Sequence, residues 1–70
     1  MRLSYDAEED AAYLRLVEPG HGNAITQVVV DDEDLHRPII IDLDAEGHVT
    51  GFEFLQASEM LPATLLDQFR

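Results

Sequence analysis

The sequence predicts an α+β domain: a small, mostly antiparallel meander sheet of about five strands with a short C-terminal helix. Two observations predict it. Short segments rich in β-branched and aromatic residues are separated by clusters of turn residues, and the apolar period changes from two to that of a helix after Leu55. The chain has 70 residues, so we expect a single domain over residues 1–70.

The first two strands flank an acidic turn that begins at Asp6. Strands are predicted at residues 2–5 and 11–17, and in the second Tyr13 and Arg15 alternate with apolar residues. An aspartate at the start of a turn can accept hydrogen bonds from the backbone N–H groups that follow it. A helix over residues 7–17 is the alternative, because Ala, Glu, Leu and Arg favour helices. The two-residue period favours the strand.

The middle of the chain predicts a loop, a third strand and a second acidic connection. Residues 18–23 are rich in turn residues, residues 24–30 are predicted as a strand that ends in three valines, and four acidic residues follow at 31–34. Such an acidic connection is typically solvated, and it discourages the adjacent strand edges from pairing with other chains.

A hairpin over residues 38–55 is the strongest local pattern. Its turn offers Asp44 as a backbone acceptor and Gly47 at a position of positive φ. In the returning strand Phe52 and Phe54 are predicted on one face. The opposite face receives Val49, Gly51, Glu53 and Leu55. A glycine within a strand indicates a bulge or a close backbone approach.

The C-terminal segment is predicted to be helical. Residues 56–60 form a helical turn, and a short helix over residues 62–69 begins with Pro62 at its first position. Its apolar stripe is expected to contact the sheet or a second subunit.

Charge and composition exclude several functions. The net charge is −11, from 15 acidic and 4 basic residues, which argues against nucleic acid and anionic membranes as partners. It permits a basic protein partner or a cation, and it also serves solubility. The chain has no cysteine, and His21, His36 and His48 share no metal-ligand spacing. No apolar run resembles a signal peptide or a membrane helix, so a cytoplasmic location is expected.

Glu53 is the residue with the clearest potential for chemistry. It lies between Phe52 and Phe54 in an apolar strand, where an inward carboxylate would need a partner such as Arg15 or Arg37. Together with Tyr13 and Arg15, Glu53 is a candidate ligand-binding site at a subunit interface. A solvent-facing Glu53 is the alternative. No catalytic residue is predicted, because no nucleophile, base and oxyanion site can be assembled from the sequence.

A cation site in the hairpin turn is a further hypothesis. Asp42, Asp44 and Glu46 precede Gly47 at the spacing of a calcium-binding loop, and Glu53 falls at its last ligand position. Such loops are flanked by helices, whereas strands are predicted here. Ordinary turn chemistry is therefore the competing explanation.

Two ordered motifs resemble a known family. The first is a Tyr-Asp pair at Tyr5 followed by residues 10–16. The second runs from residue 41 to 44 and continues with Gly47, Gly51, Glu53, Leu55, Ala57 and Ser58. The pattern resembles a small bacterial family catalogued as domain of unknown function 2283. The resemblance implies a small antiparallel sheet with a helical C-terminus, and it implies no reaction.

We predict a non-enzymatic protein-interaction module that associates with itself, most simply as a homodimer. The apolar fraction is 46%, high for so short a chain, and a single small sheet has two faces to cover. A small enzyme or ligand-binding protein with a site near Glu53 and Arg15 is the alternative. No cofactor is expected, and an unidentified protein partner is compatible with the charge.

Overall fold

The computed structural model describes residues 1–18 and 24–70. In these ranges the chain forms five strands: β1 (Arg2–Asp6), β2 (Ala11–Arg15), β3 (Thr26–Val30), β4 (Ile39–Leu43) and β5 (Val49–Leu55). Two single-turn helices follow, α1 (Ala57–Met60) and α2 (Ala63–Leu66), and then a 3₁₀ turn, Asp67–Phe69. The predicted α+β class, an antiparallel sheet with a short helical C-terminus, is confirmed.

All neighbouring strands are antiparallel, and their order across the sheet is β1-β2-β5-β4-β3. The pair β1–β2 and the trio β3–β4–β5 each follow meander order, but β5 rather than β3 lies beside β2. The last strand therefore occupies the centre and joins the two parts, with Tyr13 directly opposite Glu53. Strands β1 and β3 are the two edges of the sheet.

The strand ends differ slightly from the prediction. β2 ends at Arg15 instead of continuing to Val17, and β3 begins at Thr26 instead of Ala24. The alternative helix over residues 7–17 is wrong, because β2 pairs with a strand on each side. These pairings override the helix propensity of the local sequence.

The C-terminal segment forms two short helices where we predicted one helix over residues 62–69. α2 begins at Ala63, and Pro62 is its extended N-cap residue, with ψ 140°. The proline ring disfavours helical dihedrals in the residue before it. Leu61 is accordingly extended, with φ −119° and ψ 147°, and separates the helices. No helix in the described ranges is long and apolar enough to cross a membrane.

Aspartate side chains hold two of the turns. Asp6 Oδ1 accepts hydrogen bonds from the backbone N–H groups of Glu8 at 3.0 Å and Glu9 at 3.2 Å, as predicted. Asp32 Oδ1 accepts one from the N–H of Asp34 at 2.9 Å. The predicted loop at residues 18–23 falls almost wholly outside the described residues, as does His21.

A register shift interrupts the pairing of β4 with β5. Asp42 pairs with Gly51, but Leu43 pairs with Val49, so Thr50 is an additional residue on β5. The predicted irregularity beside Gly51 is therefore confirmed. The additional residue breaks the alternation of side chains, so our placement of Val49 on the face of Gly51 is wrong.

The core lies between the helices and one face of the sheet, at the β1–β2–β5 side. Ala12, Ala57 and Leu66 are the fully buried apolar residues of the described ranges, at 2%, 0% and 1% exposure. Partly buried side chains pack around them: Leu3, Tyr5, Phe54 and Leu61. Because side chains alternate along a strand, the neighbours of Ala12 and Phe54 point to the opposite face, here called the open face.

Candidate functional site

The open face brings together all three residues predicted as a ligand site. Strand alternation and the pairings of β2, β5, β4 and β3 place the following residues on it: Tyr13, Arg15, Gly51, Glu53, Leu55, Ile40, Asp42, Gln27 and Val29. The structure thus unites Tyr13, Arg15 and Glu53, which the sequence separates by up to 40 positions, on one surface. The same face also holds Asp42, Gly51 and Gln27, which we had not predicted as part of this ligand site.

Tyr13 crosses the backbone of β5 at Gly51. Its hydroxyl donates a hydrogen bond to Asp42 Oδ2 at 2.6 Å, on the strand beyond β5. A Cβ added at Gly51 would lie 2.5 Å from the Tyr13 Cζ and 2.7 Å from its Cε1, and closer still to the hydroxyl oxygen. Real Cβ atoms do not approach so closely, so the glycine provides the space in which the ring lies.

Asp42 is the centre of this polar cluster. It is only 6% exposed. Its Oδ2 accepts the Tyr13 hydroxyl and its Oδ1 accepts Gln27 Nε2 at 3.0 Å, while the Thr50 hydroxyl donates to its backbone oxygen at 3.3 Å. A buried carboxylate needs such donors because an unpaired one would be strongly destabilising. We considered Asp42 only as a metal ligand and did not predict this cluster.

The cluster holds Tyr13 in its protonated form. Burial, followed by the hydrogen bond to Asp42 and its negative charge, raises the pKa of Tyr13 to about 12. The Arg15 guanidinium, with its Cζ 5.2 Å from the centroid of the Tyr13 ring, acts to lower the pKa of Tyr13, but its effect is smaller. A general acid or base works best with a pKa near the working pH. Tyr13 is therefore better suited to a structural role than to proton transfer at neutral pH.

Glu53 lies in the middle of the open face, with Tyr13 opposite on β2 and Ile40 opposite on β4. It is half-buried. Among the described residues no ion pair within 4.0 Å joins it to Arg15 or Arg37; the Arg37 guanidinium instead contacts Glu59 at 3.1 Å. Glu53 and Arg15 thus present opposite charges on one surface without contacting each other.

An apolar area adjoins the polar cluster. Val29 and Leu55 are 62% and 47% exposed, and Ile40 between them is half-buried. With Arg37, Pro38 and Gln56 they line a shallow depression of ≈ 370 Å³. Contiguous apolar side chains on a surface are typical of contact sites rather than of solvated faces.

The predicted cation site is divided between two environments. Asp44 Oδ1 accepts the backbone N–H groups of Glu46 and His48, both at 2.9 Å, and these bonds, with that from His48 the largest cause, lower the pKa of Asp44. Gly47 has the predicted positive φ, 83°. Asp42, in contrast, is occupied on the open face. The described part of the chain contains no group of three potential metal ligands.

A second polar cluster, also not predicted, attaches α1 to the first turn. Asp10 Oδ1 accepts hydrogen bonds from the Ser58 N–H and the Tyr5 hydroxyl, both at 2.9 Å, and its Oδ2 accepts the Ser58 hydroxyl at 2.6 Å. The Ser58 hydroxyl is the main cause that lowers the pKa of Asp10. The Asp10 backbone oxygen also accepts the N–H of Ala57 at 2.8 Å.

Comparison with known proteins identifies the family. A family model described as "Protein of unknown function (DUF2283)" matches residues 2–58, which is most of the chain. The chain belongs to this family. No curated protein and no solved structure matches this DUF2283 domain.

The two clusters explain several residues on which the resemblance to DUF2283 rests. Asp10 and Ser58 connect the first turn to α1, and Gly51 makes room for the Tyr13 ring beside Asp42. Strand alternation alone would place Asp42 and Gly51 on one face of the hairpin, but Tyr13 reaches them only because β5 lies beside β2, which no local pattern predicts. The Asp10–Ser58 contact has no comparable signal, because it joins residues 48 positions apart.

Proposed function

We propose that this DUF2283 domain is a non-enzymatic interaction module that forms a homodimer through its open face. The observation that carries the proposal is the exposure of Val29 and Leu55 on a sheet face that no helix of the described ranges covers. A second copy would supply the missing layer, since stable small domains pack a sheet against another element on its apolar face.

The size of the core supports the proposal. Of the described residues, the only apolar ones that are fully buried are Ala12, Ala57 and Leu66, and two of these are alanines. A chain of about 60 residues buries only about 60% of its unfolded surface, so stability is marginal even with a full core. Burial of the open face against a partner would add the apolar contacts that the monomer lacks.

The broad side of the molecule is large enough to hold such an interface. The molecule measures 34 × 28 × 17 Å, so the rectangle that encloses its broad side, of which the open face is a part, covers on the order of 900 Å². A stable interface buries about 800 Å² per partner. The depression lined by Val29, Ile40 and Leu55 could receive an apolar side chain of the second copy. Isologous packing would also allow Arg15 of one protomer to approach Glu53 of the other.

Light scattering over a dilution series tests the proposal. The parent protein should have twice the mass of one chain. Leu55→Lys and Val29→Lys should each shift the equilibrium to the monomer, because a lysine on the buried face must lose its hydration. Val49→Lys is the matched control, since Val49 is 39% exposed and lies outside the alternation of the open face. A monomeric parent at all concentrations would contradict the proposal.

The alternative, a small enzyme or ligand-binding protein with its site at the subunit interface, would use the same residues Tyr13, Arg15 and Glu53. The raised pKa of Tyr13 favours the structural assignment over this one. Glu53→Gln separates the two. A dimer interface predicts weaker association in this variant, whereas a ligand site predicts unchanged association.

A further inference from the structure

The edge strand β3 is unusually open for strand addition. All five of its residues, Thr26–Val30, are exposed, and within residues 1–18 and 24–70 its one neighbouring strand is β4. Three consecutive valines have exposures of 41%, 62% and 38%: Val28, Val29 and Val30. Valine and threonine favour extended backbone, so this edge is already in the conformation that a further strand requires.

Within the strand itself, β3 lacks the features by which proteins protect their sheet edges; the acidic run that we expected to discourage pairing lies beyond its end, at residues 31–34. Natural edges carry charged side chains, proline or a bulge that prevents pairing with another chain. From residue 24 to residue 30 there is no charged residue and no proline, and the pairing of β3 with β4 is regular over the strand. The other edge differs, because β1 carries Arg2 and Asp6.

Four acidic residues directly continue this edge. Residues 31–34 are Asp, Asp, Glu and Asp, and all are exposed. The bond from the Asp34 N–H to Asp32 Oδ1 shows that this segment is folded back as a turn. It therefore places a concentrated negative charge close to the end of an apolar edge.

We propose that β3 binds an extended segment of a basic partner protein, which adds an antiparallel sixth strand to the sheet. Alternate apolar side chains of the partner would cover the valines, and Lys or Arg residues preceding its strand would lie against residues 31–34. The antiparallel direction continues the pattern of every strand pair in the sheet. The proposal does not depend on dimerisation of the open face.

Charge complementarity favours a basic partner over a second copy of the chain as the strand that pairs with β3. The protein has four basic residues apart from histidine, all arginines, and none of them lies between residues 16 and 36. Two β3 strands paired antiparallel would bring residues 24–26 of one copy towards the acidic run of the other, and these carry no charge. A second copy thus leaves the acidic run unpaired, whereas a basic strand neutralises it.

A synthetic peptide provides the probe. We would use a fluorescein-labelled peptide in which three basic residues precede five alternating Val and Thr residues, and measure its binding by fluorescence anisotropy. One control peptide carries Glu in place of the basic residues. A second has Pro in place of both Thr residues, which keeps the charge but removes backbone donors and strand geometry.

Matched protein variants separate specific from general attraction. The triple variant Asp31→Asn, Glu33→Gln and Asp34→Asn removes charge from the run and retains Asp32, which holds the turn. The control triple variant has the same net charge: Glu8→Gln, Glu9→Gln and Glu46→Gln. The first should weaken binding of the basic peptide about tenfold, as expected for three exposed ion pairs of a few tenths of a kcal/mol each. The second should leave binding almost unchanged.

A pair of lysine substitutions tests the edge itself. Val28→Lys places a charge on β3, and Val49→Lys adds the same charge at a valine of similar exposure, 39% against 41%. Val28→Lys should abolish binding and Val49→Lys should reduce it only slightly. Hydrogen exchange should show new protection of β3 amides when the basic peptide is bound, and none in β1.

Three outcomes would overturn the proposal. Equal loss of binding in both triple variants would mean that only net charge attracts the peptide. Equal binding of the proline peptide would mean that no strand is added. If the protein without peptide forms a larger species that Val28→Lys dissociates, while Leu55→Lys leaves that species intact, the edge is occupied by a second copy and the basic partner is the wrong assignment.

Discussion

Replacement of Gly51 by alanine tests whether the Tyr13 ring depends on the absence of a side chain. The added Cβ would lie 2.5 Å from the Tyr13 Cζ. The ring cannot move away and keep its 2.6 Å hydrogen bond to Asp42, because the bond holds the far end of the same side chain. We therefore expect Gly51→Ala either to strain β5 or to expel the ring.

Strain in β5 and expulsion of the Tyr13 ring would each lower the free energy of unfolding. Overpacking typically destabilises by about 1–3 kcal/mol, and loss of a hydrogen bond to a charged group by about 1.5–3 kcal/mol. These values do not add, since expelling the ring relieves the overlap. Alanine favours the strand over glycine by roughly 0.5–1 kcal/mol, so the net loss should be about 1–2 kcal/mol. For a domain of this size such a change lowers the melting temperature by roughly 5–15 °C.

A double-mutant cycle with Tyr13→Ala tests whether the loss of stability in Gly51→Ala comes from overlap with the Tyr13 ring. Urea unfolding, followed by circular dichroism at one fixed protein concentration, gives the free energy of unfolding for the parent, both single variants and the double variant. In the Tyr13→Ala background the space is empty, so Gly51→Ala should be neutral or slightly stabilising. If Gly51→Ala has the same effect in both backgrounds, the two residues are independent and our explanation of the glycine is wrong.

Three further predictions concern ionisation and association. Because the pKa of Tyr13 is raised to about 12 from 10.0, its contribution to stability is present below pH 10 and is lost as the pH rises towards 12. Tyr13→Phe should make urea unfolding less sensitive to pH over that range. The pKa of Asp10 is lowered from 3.8, chiefly by Ser58, so its contribution is present at neutral pH and is lost as the pH falls through the lowered value. Ser58→Ala should lower the melting temperature at neutral pH more than in acid. Arg15→Glu and Glu53→Arg should each weaken the dimer, and the double variant should restore the mass measured by light scattering.

The fold class was predictable because its signals are local. The aspartate at residue 6, the glycine at residue 47 and the alternation in the strands each depend on a few neighbouring residues. The first two were confirmed, and the alternation was confirmed except at Val49, beyond the register shift. The position of β5 between β2 and β4 depends on contacts between distant segments. No local pattern predicts it, since a simple meander satisfies the same alternation.

The site was predictable only in part, because it too depends on contacts between distant segments. Tyr13, Arg15 and Glu53 were recognised as a set, and the structure places them on one face. For Asp42 we predicted only a cation site, because its spacing to Asp44 matches a calcium loop, and we did not predict the hydrogen bonds that it accepts on the open face. Residues two positions apart point to the same face only if both lie in the strand. Asp42 lies in β4, whereas Asp44 belongs to the turn that follows it.

The central position of β5 also determines when this protein can fold during synthesis. β1 and β2 are made first, but a two-stranded hairpin alone is marginally stable in water. β2 has no partner other than β1 until residues 49–55 have left the ribosome, and closure of the long loop between β2 and β5 precedes any gain from their contacts. The hairpin of β1 and β2 therefore lacks its second neighbour until β5 has been synthesised. We expect folding in one late cooperative step, in which the amides of β2 and β5 become protected together.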